Sequence, residues 1–293
     1  MRRAYFKNNW VAGLMVAPQL IIVFIFFYFP ASQALYWAFT LEQPWGGGNT
    51  WVGFDNFRAI LTDDLYWSSI WVSIVYAVGA TVLAVGMALV LALFVDRRLA
   101  GHAITKIGMI WPYAIAAPAV GLAFRFVFSP AAGIMMYVNH VAPGIWNPVQ
   151  DGAQAMATVI IAGAWKQVAY NFIFFLAGLQ SIPRSLIEAG AMDGARVLRR
   201  MRDIQLPLLA PTFFFVLVIN ITDSFTDSFG IVDTMTAGGP SRATNLMVFK
   251  IFNDGFQGLD YSGAAAQSII LMLLVVALTF FQFRYIERKV HYT

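Results

Sequence analysis

Six stretches of this chain run for about twenty residues or more with at most one charged side chain each, and nothing else in the sequence restricts its fold so tightly. Trp10 to Leu41 and Leu65 to Val95 carry no charge. Ile107 to Phe124 continues past Arg125, Gly152 to Pro183 is interrupted only at Lys166, Ile204 to Thr222 ends at two aspartates, and Tyr261 to Phe283 is uncharged. Crossing about 30 Å of hydrocarbon at about 1.5 Å per residue takes about 20 apolar residues in a helix. The runs therefore predict an all-α integral membrane protein with six spans, near 11–36, 68–95, 104–128, 154–179, 208–232 and 264–286. They do not alternate as the strands of a membrane β-barrel would. Composition agrees: the chain is 59% hydrophobic and 12% charged, whereas a soluble domain carries about 25% charged residues. The first run is longer than the 7–15-residue core of a cleaved leader and is read as a retained span.

Orientation follows from lysine and arginine. Fourteen of the nineteen fall in the N-terminus (Arg2, Arg3, Lys7), the 96–106 loop (Arg97, Arg98, Lys106), the 180–207 loop (Arg184, Arg196, Arg199, Arg200, Arg202) and the tail (Arg284, Arg288, Lys289). The opposite loops hold Arg58, Arg242 and Lys250. Positive charge stays inside, so both termini are expected in the cytoplasm. The basic residues lie between spans rather than on one soluble face, which argues against nucleic acid as a partner.

The second span carries Ala80, Ala84, Ala88 and Ala92 at four-residue spacing. A small-residue stripe lets helices approach closely, either within one subunit or across a dimer. No phosphate-binding G-x-x-x-x-G-K-[ST] occurs, the chain has no cysteine and three scattered histidines, and neither H-E-x-x-H nor G-x-S-x-G is present. Transport is thus a better expectation than catalysis, with no metal and no cofactor held by this chain.

Charges inside spans are costly and usually functional. Asp223 and Asp227 are four apart on the fifth span, among Thr222, Ser224, Thr226 and Ser228. Arg125 and Lys166 are read at a similar depth. One reading pairs these cations with the aspartates inside the bundle; the other has all four line a solute path, with Asn171 and Asn220 as further polar candidates. Trp111, Tyr113, Trp165 and Tyr170 either stack on a sugar face or anchor helices at the membrane interface.

The 181–207 loop is the most informative segment. Ser185 and Glu188 have the spacing of a capping box, so a helix is expected to start there. Gly194 suits a left-handed turn. A second short helix is expected to follow, with Val197, Leu198, Met201 and Ile204 on one face and arginines on the other. Pro207 and Pro211 then open the fifth span. The spacing Glu188-Ala189, Gly194, Ile204, Leu206-Pro207 resembles the signature loop of binding-protein-dependent ABC importer permeases, with Gly190 in place of an alanine. Val52–Phe57, Ala177–Pro183, Thr236–Pro240 with Thr244, and Tyr261–Ala265 are similar to further stretches of the sugar-type subfamily.

The resemblance implies a type I ABC importer permease fold in a bacterial inner membrane. It divides the chain into 1–66 (N-terminus, accessory span and external loop), 67–286 (five-span core) and 287–293 (tail). By resemblance, Glu188, Ala189, Asp193, Gly194, Ile204, Leu206 and Pro207 form the coupling loop that docks into an ATPase. The implied partners are a homologous second permease, two cytoplasmic ATPase subunits that bind the ATP and magnesium, and a periplasmic substrate-binding protein. The cargo it implies is a small polyol phosphate or sugar, with sn-glycerol-3-phosphate favoured. The rival from the residues alone is an ion-coupled carrier using Asp223 and Asp227 for protons.

Overall fold

A computed structural model describes residues 9–42, 47–96 and 108–285. The basic residues Arg2, Arg3, Lys7, Arg97, Arg98, Lys106, Arg288 and Lys289, and the tail segment 287–293, lie outside the described residues. The chain divides into two compact units, one of Met1–Asp63 with Ile251–Ile270 and one of Asp64–Lys250 with Leu271–Thr293.

The smaller unit begins with α1 (Trp10–Ala38), whose most apolar window is not buried against any other part of the chain. A helix that is apolar on every side and uncovered by protein needs lipid around it. A wide turn over Phe24–Tyr28 carries the N–H of Phe29 to the carbonyl of Phe24, immediately before Pro30. The proline ring cannot fit the standard helical turn, and the wider turn relieves it. An antiparallel hairpin follows, β1 (Thr40–Glu42) and β2 (Asn49–Trp51), with Thr40 opposite Trp51. Among the described residues this pair is the one departure from an all-α expectation. Asn56, in α2 (Asp55–Leu61), donates from Nδ2 to the carbonyls of Ala38 and Thr40 at 3.0 and 2.9 Å. Phe39, Trp51, Phe54 and Phe57 pack ring to ring. The Glu42 N–H donates to Ser262 Oγ at 2.9 Å.

The larger unit is built on α3 (Asp64–Asp96) and α7 (Gly152–Ser181). The alanine stripe explains their closeness: Ala80, Ala84, Ala88 and Ala92 are completely buried, three of them in one core cluster with Ala164, Val168, Phe172 and Phe175 of α7. The stripe is internal packing, not a dimer seam. A second cluster joins Tyr76 and Ala80 to Met156, Val159 and Ala162 and to Ile231, Val232 and Met235. The two clusters part along the middle of α7.

The expected third span is not one helix. It is α4 (Gly108–Ala114) and α5 (Ala117–Val127), bent by 112°. Ala116 is extended, at φ −61° and ψ 141°, and Pro118, which has no N–H, cannot donate to the Ala114 carbonyl four residues back, so the helix does not run through this point. A short helix, α6 (Ile134–Val141), precedes α7. Beyond α7 come α8 (Arg184–Met192) and α9 (Val197–Leu208). The fifth span is also shorter than expected. Helix α10 (Ala210–Thr226) meets α9 at 66°, stops at Asp227, and restarts as α11 (Phe229–Met235). A short helix α12 (Met247–Phe252) leads to α13 (Tyr261–Tyr285). Among the described residues four helices are long and apolar enough to span a bilayer alone, and the total is six if each bent pair counts as one span.

Candidate functional site

A cavity of about 270 Å³ is lined by residues of α3, α4, α7, α10 and α11, with Tyr76 and Ile231 of the second core cluster in its wall. Tyr76 reaches it because it continues the alanine stripe one step, at i−4 from Ala80, and so faces α7. Gly163 lies opposite, and a Cβ there would collide with the Tyr76 hydroxyl. One turn further along α7, Lys166, Gln167 and Tyr170 line the wall.

Lys166 Nζ donates to Asp227 Oδ2 at 2.6 Å, with the lysine side chain 18% exposed and the aspartate 65%. Asp223 lines the same wall and makes no ion pair among the described residues. The backbone makes this face available: the Asp227 N–H ends α10 by donating to the Asp223 carbonyl at 2.8 Å. Asn171 and Asn220, both buried, exchange amide bonds of 2.9 and 2.6 Å, and Asn220 Nδ2 also donates to the Val216 carbonyl at 2.7 Å. This pair ties α7 to α10. Asn220 also lines the cavity, whereas Asn171 does not. Tyr113 and Tyr170 stack at 5.9 Å on the cavity wall, while Trp111 and Trp165 meet edge to face at 5.7 Å beside it.

Two buried oxygens of the lining, Gln167 Oε1 and Ser228 Oγ, have no hydrogen-bond partner among the described residues. Buried polar groups are normally satisfied, so the cavity offers acceptors and donors for a hydroxylated guest. Sequence reasoning missed Tyr76, Gly163 and Gln167. The i−4 continuation of the alanine stripe is the signal that finds the first.

Arg125 does not join this site. It lies in the last turn of α5, where Nη1 donates to the Thr234 carbonyl at 3.2 Å. Lys166, fourteen residues into the thirty-residue α7, is near mid-helix. Of the two cations, Lys166 reaches an aspartate and Arg125 does not among the described residues.

The 181–207 elbow departs in detail from the sequence expectation. Helix α8 starts at Arg184 with Pro183 as its cap, and the cap makes no side-chain bond. The capping box is not formed, because Ser185 is already inside the helix. Gly194 has φ +76°, the left-handed turn expected of it, and the Ala195 N–H closes that turn on the Gly190 carbonyl at 3.0 Å. Helix α9 contains a wide turn over Met201–Gln205, where the N–H of Leu206 reaches the Met201 carbonyl, again immediately before a proline, Pro207. Ile187 and Met201 pack against the inner core cluster. Leu198 and Met192 do not; they stand 74% and 88% exposed. Glu188, Ala189 and Asp193 are exposed as well. Gly190 lets Ile204 close in, for a Cβ there would sit 2.8 Å from Ile204 Cδ1.

Comparison with known proteins fits this architecture. The chain is 47% identical over its whole length, and over the whole of the relative, to the sn-glycerol-3-phosphate transport system permease protein UgpA of Rhizobium meliloti (strain 1021). It is 46% identical to the protein of that name from Brucella abortus biovar 1 (strain 9-941), again over both full lengths. With that of Escherichia coli O157:H7 it shares 43% over 99% of this chain and 98% of the other. Two crystal structures share the fold: a bacterial ABC transporter involved in the import of the acidic polysaccharide alginate (TM-score 0.84, 22% identity), and an alginate ABC transporter solved in complex with an alginate pentasaccharide-bound periplasmic protein (TM-score 0.82, 21% identity), each covering 96% of both chains. None of these lends support to the ion-coupled carrier. Residues 66–292 match the family model of the binding-protein-dependent transport system inner membrane component, and the chain belongs to that family.

Proposed function

We propose that this chain is one transmembrane subunit of an ATP-driven importer that carries a small polyol phosphate, sn-glycerol-3-phosphate first, inward across the inner membrane. The observation that carries the reading is end-to-end identity of 43–47% with permease proteins of sn-glycerol-3-phosphate transport systems. The chain catalyses nothing itself. Its partners are a homologous permease, two cytoplasmic ATPase subunits that bind ATP and magnesium, and a periplasmic binding protein. Both termini are cytoplasmic, as the lysine and arginine bias requires.

The site supports the reading chemically. Asp223, Gln167 and Ser228 offer a polyol several bonds in a space walled by tyrosines, an arrangement of apolar walls with a few placed polar groups that suits a small solute. The 181–207 elbow is the drive. Its exposed residues Glu188, Asp193 and Leu198 face a partner, while Ile187 and Met201 anchor it to the core. When ATP draws the ATPases together, the elbow moves with them and α9 turns α10, which carries Asn220 and Asp223. Access to the cavity then alternates between the two sides.

The test is uptake into proteoliposomes containing the complete importer. sn-Glycerol-3-phosphate accumulates only with ATP on the ATPase side and binding protein on the other, and dissipating the proton gradient changes nothing. Uptake driven by the proton gradient, or by this chain without partners, overturns the proposal.

A further inference from the structure

A second cavity, of about 340 Å³, is lined by Arg125, Ser129, Thr158, Met235, Thr236 and Pro240 among others, with no acidic side chain in its wall. Arg125 spends one N–H on the Thr234 carbonyl and makes no ion pair among the described residues. A guanidinium has five N–H donors in a planar fork, so most of this one remains available. Ser129 Oγ accepts from the Ala131 N–H at 3.3 Å, which leaves its own O–H free to donate. Asp233, close by in sequence, is exposed and outside the lining.

The first cavity has the opposite character. It holds two carboxylates and one ammonium, and that ammonium is committed to Asp227. Fully ionised, it is negative overall and repels a phosphate. The two cavities are neighbours on α11: Ile231 lines the first and Met235 the second, four residues and about 6 Å of helix apart. The carboxylate cavity matches the hydroxylated end of a polyol phosphate and the Arg125 cavity matches its anionic end.

We propose that the Arg125 cavity is an anion station that receives the phosphate group of the solute, while the carboxylate cavity takes its hydroxyl end. This rests on the reading of the cargo as a polyol phosphate. Planar N–H pairs suit phosphate oxygens, and an uncompensated cation in a recess concentrates anions around it.

The chain has no cysteine, so Ser129→Cys places a single thiol in this cavity. In the purified, fully assembled importer, the anionic sulfonatoethyl methanethiosulfonate is expected to modify that thiol about tenfold faster than its cationic trimethylammonium counterpart. Arg125→Gln brings the ratio close to one, and Arg125→Lys keeps most of it. sn-Glycerol-3-phosphate slows the modification, whereas glycerol at equal concentration does not. An unchanged ratio in Arg125→Gln, or equal protection by glycerol, overturns the station. Protection by added anionic lipid alone assigns the site to a headgroup and overturns it too. If the cysteine-free importer takes up sn-glycerol-3-phosphate but the solute gives no protection, the station fails and the transport reading stands. If no polyol phosphate is taken up at all, the transport reading fails first.

Discussion

Asn171 and Asn220 exchange their carboxamide bonds where neither reaches water. Removing one partner strands the other, which costs about 1–3 kcal/mol, whereas replacing both by apolar groups of similar shape costs less. Asn220→Leu is expected to lower the melting temperature of the detergent-solubilised importer, and Asn171→Leu with Asn220→Leu together to lower it by less than the two single effects summed. Melting curves of the three variants check this, and additive losses contradict it. That Lys166 pairs with an aspartate was one of two readings the sequence left open, since an intramembrane cation needs an anion, and which aspartate it takes was not legible. The fate of Arg125 was not. Which helices are neighbours, and how deep each charge lies, depends on the bend at Ala116, and nothing in the run of residues fixes that angle.

At the scale of elements, several departures from regular helix fall at prolines. Pro30 and Pro207 each follow a wide turn and Pro118 helps to break the third span, whereas the break at Asp227 has no proline beside it; the positions of the prolines, not the geometry of the breaks, could be read in advance. The elbow turn depends on Gly194, whose φ of +76° is open to glycine but costs other residues about 1–2 kcal/mol, with β-branched ones worst placed. Gly194→Val is expected to leave the chain in the membrane yet reduce ATP-driven uptake at least tenfold while the partner ATPase still hydrolyses ATP. Gly190→Ala serves as the contrast. The atom it meets is the far end of the Ile204 side chain, which can rotate away, so uptake remains within about twofold of the unaltered importer. Uptake and ATP hydrolysis measured on the same reconstituted samples separate the two, and unimpaired uptake by Gly194→Val contradicts the role given to the turn.

At the scale of the whole molecule, the spans, their even number and the buried alanine stripe were all open to inspection in the sequence, because hydrocarbon thickness and close helix contact impose such simple residue patterns. The cavities were less so. Tyr76, Gly163 and Gln167 become neighbours of Asp223 only when α3, α7 and α10 are assembled. The central claim is that an external motor grips the elbow and moves the spans. Met192 stands 88% exposed at its tip, and a Met192→Cys variant carries the only thiol of this chain. Cross-linking from that thiol in the assembled importer is the most direct measurement. The account predicts capture of the ATP-hydrolysing subunit in a yield that changes when ATP is bound; failure to capture that subunit, with or without ATP, contradicts it.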